Sequence, residues 1–591
     1  MLTDQGAKNW RLCCGSLPGS IREDTLGKDS RVVRTDVLVI GAGAAGIRAA
    51  IEAKKQGVET LLVAKGGLGE SGSTFYPNGW GWGFQASLGI VDKKDTPGEH
   101  LQDILEASLD MCDESLAEIL AREAPERIKD LIDYGLEFDK RNGEYVQNYG
   151  CFNKRPRAFI VTGMDKIRRF FTGAVRNHSI RVMQNTMVVD LILQEDTCVG
   201  AVGVDARGQV VVFEAKSVVM ATGGGGNLFL FNLNTPDITG DGQAIAFRAG
   251  AELANLEFFQ IGFGVLYPVE KTLFEGLLFR HKPRLYNGVQ REFIKDYLPS
   301  GVDMEECFRF RAAHMPFSTR DVSKYIDIAS FREVIEGRSG PHGGILIDLT
   351  NVSRGALRAN PSEEAWWSQV KARGFDPTKE LMEVTLHVHA LNGGLRINER
   401  TETSVPGLYA AGEVAAGPHG ADRPGGNMMP ATQVFGARAG EFAAKRAKSM
   451  KRYCAKKKIA EELEVSIQQM MRRKDGVLVK DAKDRIQKIM WENVLVGRRE
   501  ENLAHCLSTL SRIEQRELPE LAISNTDELF DALALSNMVQ LGKMMVTAAR
   551  ARRESRGSHH RDDYPKMDKN AGRSVVFRRE GEEITYHSEH L

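Results

Sequence analysis

The chain has 591 residues, enough for two to four domains around a large core. Lysine plus arginine and aspartate plus glutamate both number 79, so the formal net charge is zero, which argues against a general nucleic-acid or anionic-membrane binder. No apolar run approaches the roughly 20 residues of a membrane span, and residues 1–33 are polar without the apolar core of a signal peptide. They are expected to be a disordered leader or an appended arm. The eight cysteines are irregularly spaced and form no C-x-x-C pair. That argues against an iron–sulfur cluster or zinc site within this chain; free thiols in a reducing cytosol, and so a cytoplasmic location, are expected.

The stretch from Arg34 to Glu59, RTDVLVIGAGAAGIRAAIEAKKQGVE, organises the rest. An apolar strand over Val37–Ile40 enters Gly41, Gly43 and Gly46 in G-x-G-x-x-G order. An alanine-rich helix then runs to Lys55, and a second strand over Val58–Ala64 follows. In that strand–turn–helix–strand context the pattern is a dinucleotide-binding fingerprint. Gly41 allows the tight turn, Gly43 lets backbone N–H groups approach a pyrophosphate, and Gly46 lets the helix pack on the strand. The helix N-terminus faces the phosphates. The fingerprint alone does not choose between NAD and FAD. At the end of the second strand, however, Ala64-Lys65 stands where a ribose-binding acid belongs in an NAD site. The loop from Lys65 to Gly79 is rich in small and hydroxyl residues, either wrapping a flat cofactor or forming a flexible surface loop.

Residues 97–135 have helical apolar spacing, with a new helix expected to begin at Pro125. Strands are expected near 180–193, 198–205 and 209–215, and Ser217–Met220 runs into Ala221-Thr-Gly-Gly-Gly-Gly-Asn227. Thr239-Gly-Asp-Gly242 opens a helix over Gln243–Ala249. Residues 261–384 lose the glycine-rich turns and read as an inserted, mostly helical module. Pro406-Gly-Leu-Tyr-Ala-Ala-Gly-Glu413 returns the chain to the first domain, and Gly425-Gly-Asn-Met-Met-Pro430 starts a helix over 430–447. The basic cluster Lys445–Lys458 reads as a solvated helix face or linker. Helical spacing continues from 459 to 553, and the tail from Lys566 holds one strand-like run, Ser574–Phe577. His387 and His389 would share one face of a strand, but no third ligand is evident and no metal is assigned.

These motifs, in this order, resemble the flavoprotein subunit family of fumarate reductase and succinate dehydrogenase, which includes L-aspartate oxidase. The resemblance covers roughly residues 34–565. It is carried by VIGAGAAG (39–46), ESGSTFYPNG (70–79), EAPERIKDLIDYG (123–135), ATGGGG (221–226) and TGDGQAIAFRAGAEL (239–253). TRDV (319–322), HALNGG (389–394), GLYAAGEVAAGPHGADRPGGN (407–427) and ARARRESRGSHHRDDYP (549–565) complete it.

The resemblance implies an α/β fold: a two-dinucleotide-type, Rossmann-like FAD-binding domain at 34–260 and 385–447. An inserted α+β capping domain at 261–384 and a C-terminal helical domain with its tail at 448–591 complete the chain. It implies FAD and hydride transfer between flavin N5 and the C–C or C=C bond of a small carboxylic acid. Expected cofactor-binding residues are Gly41, Gly43, Ala45, Gly46, Lys65, Ser73, Thr74, Gly79, Val188, Ala221, Thr222, Gly223, Asp241, Glu413, Asn427 and Met428. Where respiratory members carry a flavin-linking histidine this chain has Ser73, so noncovalent FAD is expected. An iron–sulfur subunit or another electron carrier is the implied partner.

The resemblance also assigns catalytic roles. Arg320 matches the proton-delivering arginine, Arg423 a carboxylate-clamping arginine, His389 a substrate histidine and Glu275 an acid in the proton route. From the residues alone, Arg320 could equally pair with Asp321 on a surface turn, and Arg423 could stabilise a loop. The chain departs from the family at Gly262, where a substrate histidine stands, and at Phe274, where a threonine stands. Leu277–Arg284 replaces a glycine-rich run, and the amino-group-recognising acid of L-aspartate oxidase is not recognisable in Tyr149–Arg157. Losing donors at one end of a dicarboxylate pocket relaxes the choice of substrate, so a larger or less polar enoate, or a different acid, is expected in place of plain fumarate. An L-aspartate oxidase-like amino-acid oxidase and an electron-transfer subunit docked on an iron–sulfur partner are the alternatives.

Overall fold

A computed structural model describes residues 32–451, 458–473, 475–581 and 583–591. The expectation for residues 1–31 therefore lies outside the described residues, as does the middle of the basic cluster at 452–457. Val32 and Val33, counted with the leader on sequence, instead open a strand, Val32–Arg34, paired in parallel with Val212–Glu214.

The fingerprint strand Val37–Ile40 is wholly buried. It lies at the centre of a five-stranded parallel sheet, flanked by Ser217–Met220 and Leu408–Ala410 on one side and by Thr60–Val63 and Arg181–Met183 on the other. Continuous apolar runs such as VLVI and SVVM suit strands covered on both faces. The helix Ala44–Lys55 packs against the long helix Met428–Ser449, which holds Pro430 in its first turn as expected. A second sheet joins Val32–Arg34, Val210–Glu214, Thr197–Asp205 and Thr186–Gln194.

Three local expectations change. Pro125 does not begin a helix: Glu114–Asp133 is continuous through it, with Ala121, Ala124 and Ile128 buried on the inner face. Packing of that face outweighs the one backbone bond proline cannot make. The 261–384 segment is not mostly helical. It is built on a five-stranded antiparallel sheet in the order Thr272–Leu273, Phe259–Tyr267, Met382–Leu391, Ile345–Asp348, Arg284–Tyr286. Its two long strands cross the expected boundaries at 260/261 and 384/385. The long strand Met382–Leu391 does alternate, MEVTLHVH, and its polar residues are buried as well; the helices Met304–Ala313, Lys324–Ile335 and Pro361–Ala372 occupy more of the segment than its short strands do. The tail, expected to contribute one strand, forms a hairpin, Ser574–Glu580 with Glu583–Glu589, which pairs with Leu253–Ala254. Four helices, Lys458–Arg472, Val479–Val494, Glu500–Arg512 and Leu529–Ala551, make up the expected C-terminal helical region.

Candidate active site

A cavity of about 400 Å³ runs from the fingerprint turn to the edge of the antiparallel sheet. At its first end, Gly41 has φ +110°, and a β-carbon there would run into the Ala221 carbonyl. The two glycine-rich strand ends are thus pressed together, leaving backbone to line the floor. A β-carbon on Gly43 would lie 3.1 Å from the Thr74 hydroxyl. That hydroxyl accepts a hydrogen bond from Ala44 N at 3.0 Å, and Gly43 supplies no side-chain cap to the helix. The helix N-terminus therefore offers its N–H groups and positive dipole end to the cavity, a setting that fits a pyrophosphate. Gly46 does not line the cavity; it faces the Gly41 carbonyl, where any side chain would part helix from strand.

The other expected cofactor residues gather along the same channel: Ala45, Lys65, Ser73, Thr74, Gly79, Val188, Ala221, Thr222, Gly223, Asp241, Glu413 and Met428. The Lys65 ammonium is held by Asp241 at 2.8 Å and the Thr239 hydroxyl at 2.9 Å. Asn427 stays off the wall; its side-chain oxygen meets the ring of His100, 2.8 Å away. Burial pushes the Glu413 carboxyl up to about 7, although it accepts a hydrogen bond from Leu391 N at 2.9 Å. Ser73 donates to Asn234 Oδ1 at 2.9 Å.

At the far end stand His389 and Arg423. The strand Met382–Leu391 is irregular here: Gln260 faces Ala390 and Ile261 faces Val388, so His389 is the extra residue of a bulge. A bulge re-aims a side chain, and this one separates the two histidines that a regular strand would place together. His387 is buried, its Nδ1 2.9 Å from the Thr385 carbonyl, while His389 faces the cavity with Nδ1 unpartnered. Burial, with Arg423 nearby, holds His389 down to about 4, a neutral imidazole at pH 7. No cluster of three metal-ligating side chains exists among the described residues.

Arg423 is only 5% exposed. Its hydrogen-bond partners are neutral: Gln260 Oε1 and the Pro424 carbonyl, the latter at 3.2 Å. Its Nε is unpartnered, and no carboxylate lies within ion-pairing distance among the described residues. Burial lowers its pKa to about 10, leaving it charged at pH 7. The Glu413 carboxyl is near enough to act on it electrostatically but forms no ion pair, so the buried guanidinium is only partly compensated, and it faces the cavity.

Arg320 and Glu275 lie outside the cavity wall. Arg320 does not pair with Asp321, which instead faces His314 Nε2 at 3.1 Å; it pairs with Asp422 at 2.8 Å. The Glu275 carboxylate caps the short helical turn Gly276–His281, accepting from Leu277 N at 3.2 Å. Burial raises its pKa, and no ion pair joins it to Arg320 among the described residues.

The FAD binding domain family matches residues 36–429, and a second model, the fumarate reductase flavoprotein C-terminal region, matches residues 483–590. The chain belongs to the fumarate reductase/succinate dehydrogenase flavoprotein family. It is similar to a subunit of the fumarate reductase (CoM/CoB) of Methanothermobacter marburgensis, 33% identical over 94% of this chain and 99% of that one. It is also similar to an L-aspartate oxidase of Streptomyces coelicolor, 30% identical over 92% and 91%. Among solved structures, Sdh1 of Mycobacterium smegmatis superposes with a TM-score of 0.81 at 28% identity, covering 95% of each chain. The protein is thus an FAD-dependent oxidoreductase of the type acting on CH–CH groups, and the cradle described above fits its cofactor.

Several residues of this flavoprotein site escape sequence reasoning. Trp80, Asp237, Leu233 and Met164 line the channel, yet none stands in a diagnostic spacing. Gln260, which holds Arg423, lies 163 positions away in the chain. Asp422 was visible inside GADRPGGN, but only the fold shows that it meets Arg320.

Proposed function

We propose that this flavoprotein interconverts the C–C and C=C bonds of a small carboxylic acid whose carboxylate is bound by Arg423, and that plain fumarate is not its preferred substrate. The observation that carries this reading is the buried Arg423 guanidinium in the cavity, which has no ion-pair partner among the described residues: a bound carboxylate would supply one, and the planar fork suits two-point binding. His389, neutral and beside it, can donate or accept a hydrogen bond but carries no second charge. FAD held on the Gly41–Gly43 turn and the channel beside it would supply hydride chemistry at one substrate carbon, and this chain's own residues would handle the proton at the neighbouring carbon. Residues 261–384 act as the cap that shuts water out, and Arg320, on that cap, is the group assigned to the proton.

The two positions at which the chain departs from the family, Gly262 and Phe274, lie behind the cavity lining and not in it, so the reading of a less polar substrate rests on the polar side chains lost there. Phe274 is buried between Phe279 and Trp366, with ring centroids 5.5 Å away in each case. Gly262 supplies no donor. The test is anaerobic. The reduced enzyme is mixed with a panel of 2-enoates, including fumarate, crotonate and cinnamate, and the oxidised enzyme with their saturated forms. Flavin recolouring by one enoate, faster than by fumarate, is the expected result. Rapid bleaching by L-aspartate alone would replace this reading with the amino-acid oxidase. A relative named as a subunit favours a partner chain that carries electrons to or from the flavin; co-purification of a second, brown-coloured chain tests it.

A further inference from the structure

We infer that Asp422 is a positioning residue, the group that holds the Arg320 guanidinium against the loop that carries Arg423. This rests on the proposed role of Arg320, and the experiment below separates the two.

Arg320 follows a turn anchored by Phe317 N to the Ile261 carbonyl at 2.7 Å and by Thr319 N to the Gly557 carbonyl at 2.8 Å. Its side chain leaves the cap and is gripped mainly from the FAD-binding side, with Nε also donating to the cap's Ser318 hydroxyl at 3.3 Å. Nη2 donates to Asp422 Oδ2 at 2.8 Å and to the Ala107 carbonyl at 3.1 Å, and Nε donates to the same Asp422 oxygen at 3.2 Å. The Phe152 ring lies 4.2 Å from the guanidinium carbon, within cation–π range. The Asp422 carboxylate is 2% exposed and also accepts the Ser318 hydroxyl at 2.7 Å, so its own position is fixed by the cap residue two places before Arg320. Nη1 has no protein partner among the described residues, and the side chain is 24% exposed.

The order of the chain adds the second half of the argument. Asp422 and Arg423 are consecutive: one holds the cap's arginine, and the other faces the cavity with no ion-pair partner among the described residues. A shift of that loop would move both together. The distance between a carboxylate bound at Arg423 and the Arg320 fork is therefore set by a single peptide unit. A carboxylate here also does what an amide cannot: it matches the guanidinium's charge in a site where an unpaired charge is expensive. Glu275, expected as an acid in the proton route, makes no such contact with Arg320 among the described residues.

The test uses the FAD-loaded enzyme and the enoate that recolours the reduced wild-type flavin fastest, read by stopped flow for wild type, Asp422→Asn, Arg320→Gln and the double variant. We expect Asp422→Asn to lower the limiting recolouring rate at least roughly 30-fold, within the span of positioned acid catalysis, with enoate Kd changed less than about threefold. We expect the double variant to be no slower than Arg320→Gln alone, because both changes remove one unit. Hydrogen exchange of residues 318–321 should rise in Asp422→Asn. If Arg320→Gln is slow and Asp422→Asn matches wild type, Arg320 keeps its role and the inference about Asp422 is wrong. Additive losses in the double variant would also overturn it, placing Asp422 in a separate task. If Arg320→Gln matches wild type, or no enoate recolours the wild-type flavin, the reading of the site itself fails. Should Asp422→Asn not retain FAD, Asp422→Glu is measured instead: its longer side chain should misplace the fork and slow the limiting rate at least tenfold, and a wild-type rate would count against the proposal.

Discussion

A β-carbon on Gly262 would lie 2.8 Å from the sulfur of Met315. The two residues share one volume, and Met315 fills it. Met315 is itself fixed: its N–H donates to the Cys151 sulfur at 3.1 Å, its carbonyl accepts from Arg311, and a β-carbon on Gly276 would lie 3.3 Å from its own. Only the flexible end of the Met315 side chain stands against a small side chain at position 262, so such a side chain needs that sulfur to swing aside. We expect a kcat/KM for fumarate below roughly 10⁴ per molar per second, under the usual range of enzymes on their own substrates. Gly262→Ser should cost no more than about 1 kcal/mol, because the Met315 thioether can re-orient, and Met315→Ala should remove that cost. Urea unfolding of the two single variants and the double variant measures both. Efficient fumarate reduction by the wild type would mean that this corner does not set specificity.

The hydroxyl of Ser73 offers no ring nitrogen for a flavin bond and is already engaged with Asn234. FAD is therefore expected to leave with acid precipitation, giving a yellow supernatant and a colourless pellet. A pellet whose band fluoresces in a denaturing gel would show a covalent attachment elsewhere.

Gly43 sits where backbone must meet phosphate, with its missing β-carbon 3.1 Å from the Thr74 hydroxyl. Gly43→Val adds branched bulk at that spot. The variant should fold, with its circular dichroism preserved, but purify with less than about a tenth of the flavin, a loss of at least about 1.4 kcal/mol in binding. Full occupancy would mean that the pyrophosphate lies elsewhere.

The fold was legible in sequence where local pattern and tertiary role agree. VIGAGAAG, ATGGGG and GLYAAGE each couple a buried parallel strand to a glycine turn, so periodicity and turn chemistry announce the same thing. Pro125 misled because a local helix-starting preference was overridden by the buried face of a longer helix. The antiparallel sheet of the cap was legible in the alternation MEVTLHVH of Met382–Leu391, but its other strands are two to four residues long or glycine-broken and gave no pattern of their own. At the site, the channel residues were legible because they lie within the motifs. The partners of the charged groups were not. Gln260 meets Arg423 and Asp422 meets Arg320 only because the sheet edge and the 420–427 loop are brought together by the fold.

Glu413 is fully buried, and its carboxyl is raised by burial from an ordinary 4.5 to about 7. The folded apoprotein thus keeps a proton that the unfolded chain releases above pH 4.5. Its contribution is fully present below that pH and is lost as pH rises toward about 7, a change of about 3 kcal/mol. Apoprotein unfolding free energy should fall over this window and level off above it. Glu413→Gln, which keeps shape and cannot ionise, should flatten that part of the profile. An unchanged slope in the variant would assign the titration to another group.

Arg423 should show opposite signs in stability and in function. Without substrate its charge is buried against neutral partners, Gln260 and the Pro424 carbonyl, and burial already lowers its pKa. Removing a buried charge that is only partly compensated relieves a desolvation cost, whereas removing a carboxylate's partner typically costs 2–5 kcal/mol, roughly 30- to 5,000-fold. Arg423→Gln should therefore leave the apoprotein as stable as wild type or more so. It should keep FAD, and it should weaken carboxylate binding, read from flavin spectral shifts on titration with enoates, by roughly 30-fold or more. Arg423→Lys keeps charge but not the planar fork, and should recover only part of that affinity. A structural arginine would give the reverse pattern: lower apoprotein stability with carboxylate binding untouched. The two measurements together decide whether the charge at the end of the channel is there for the ligand or for the loop.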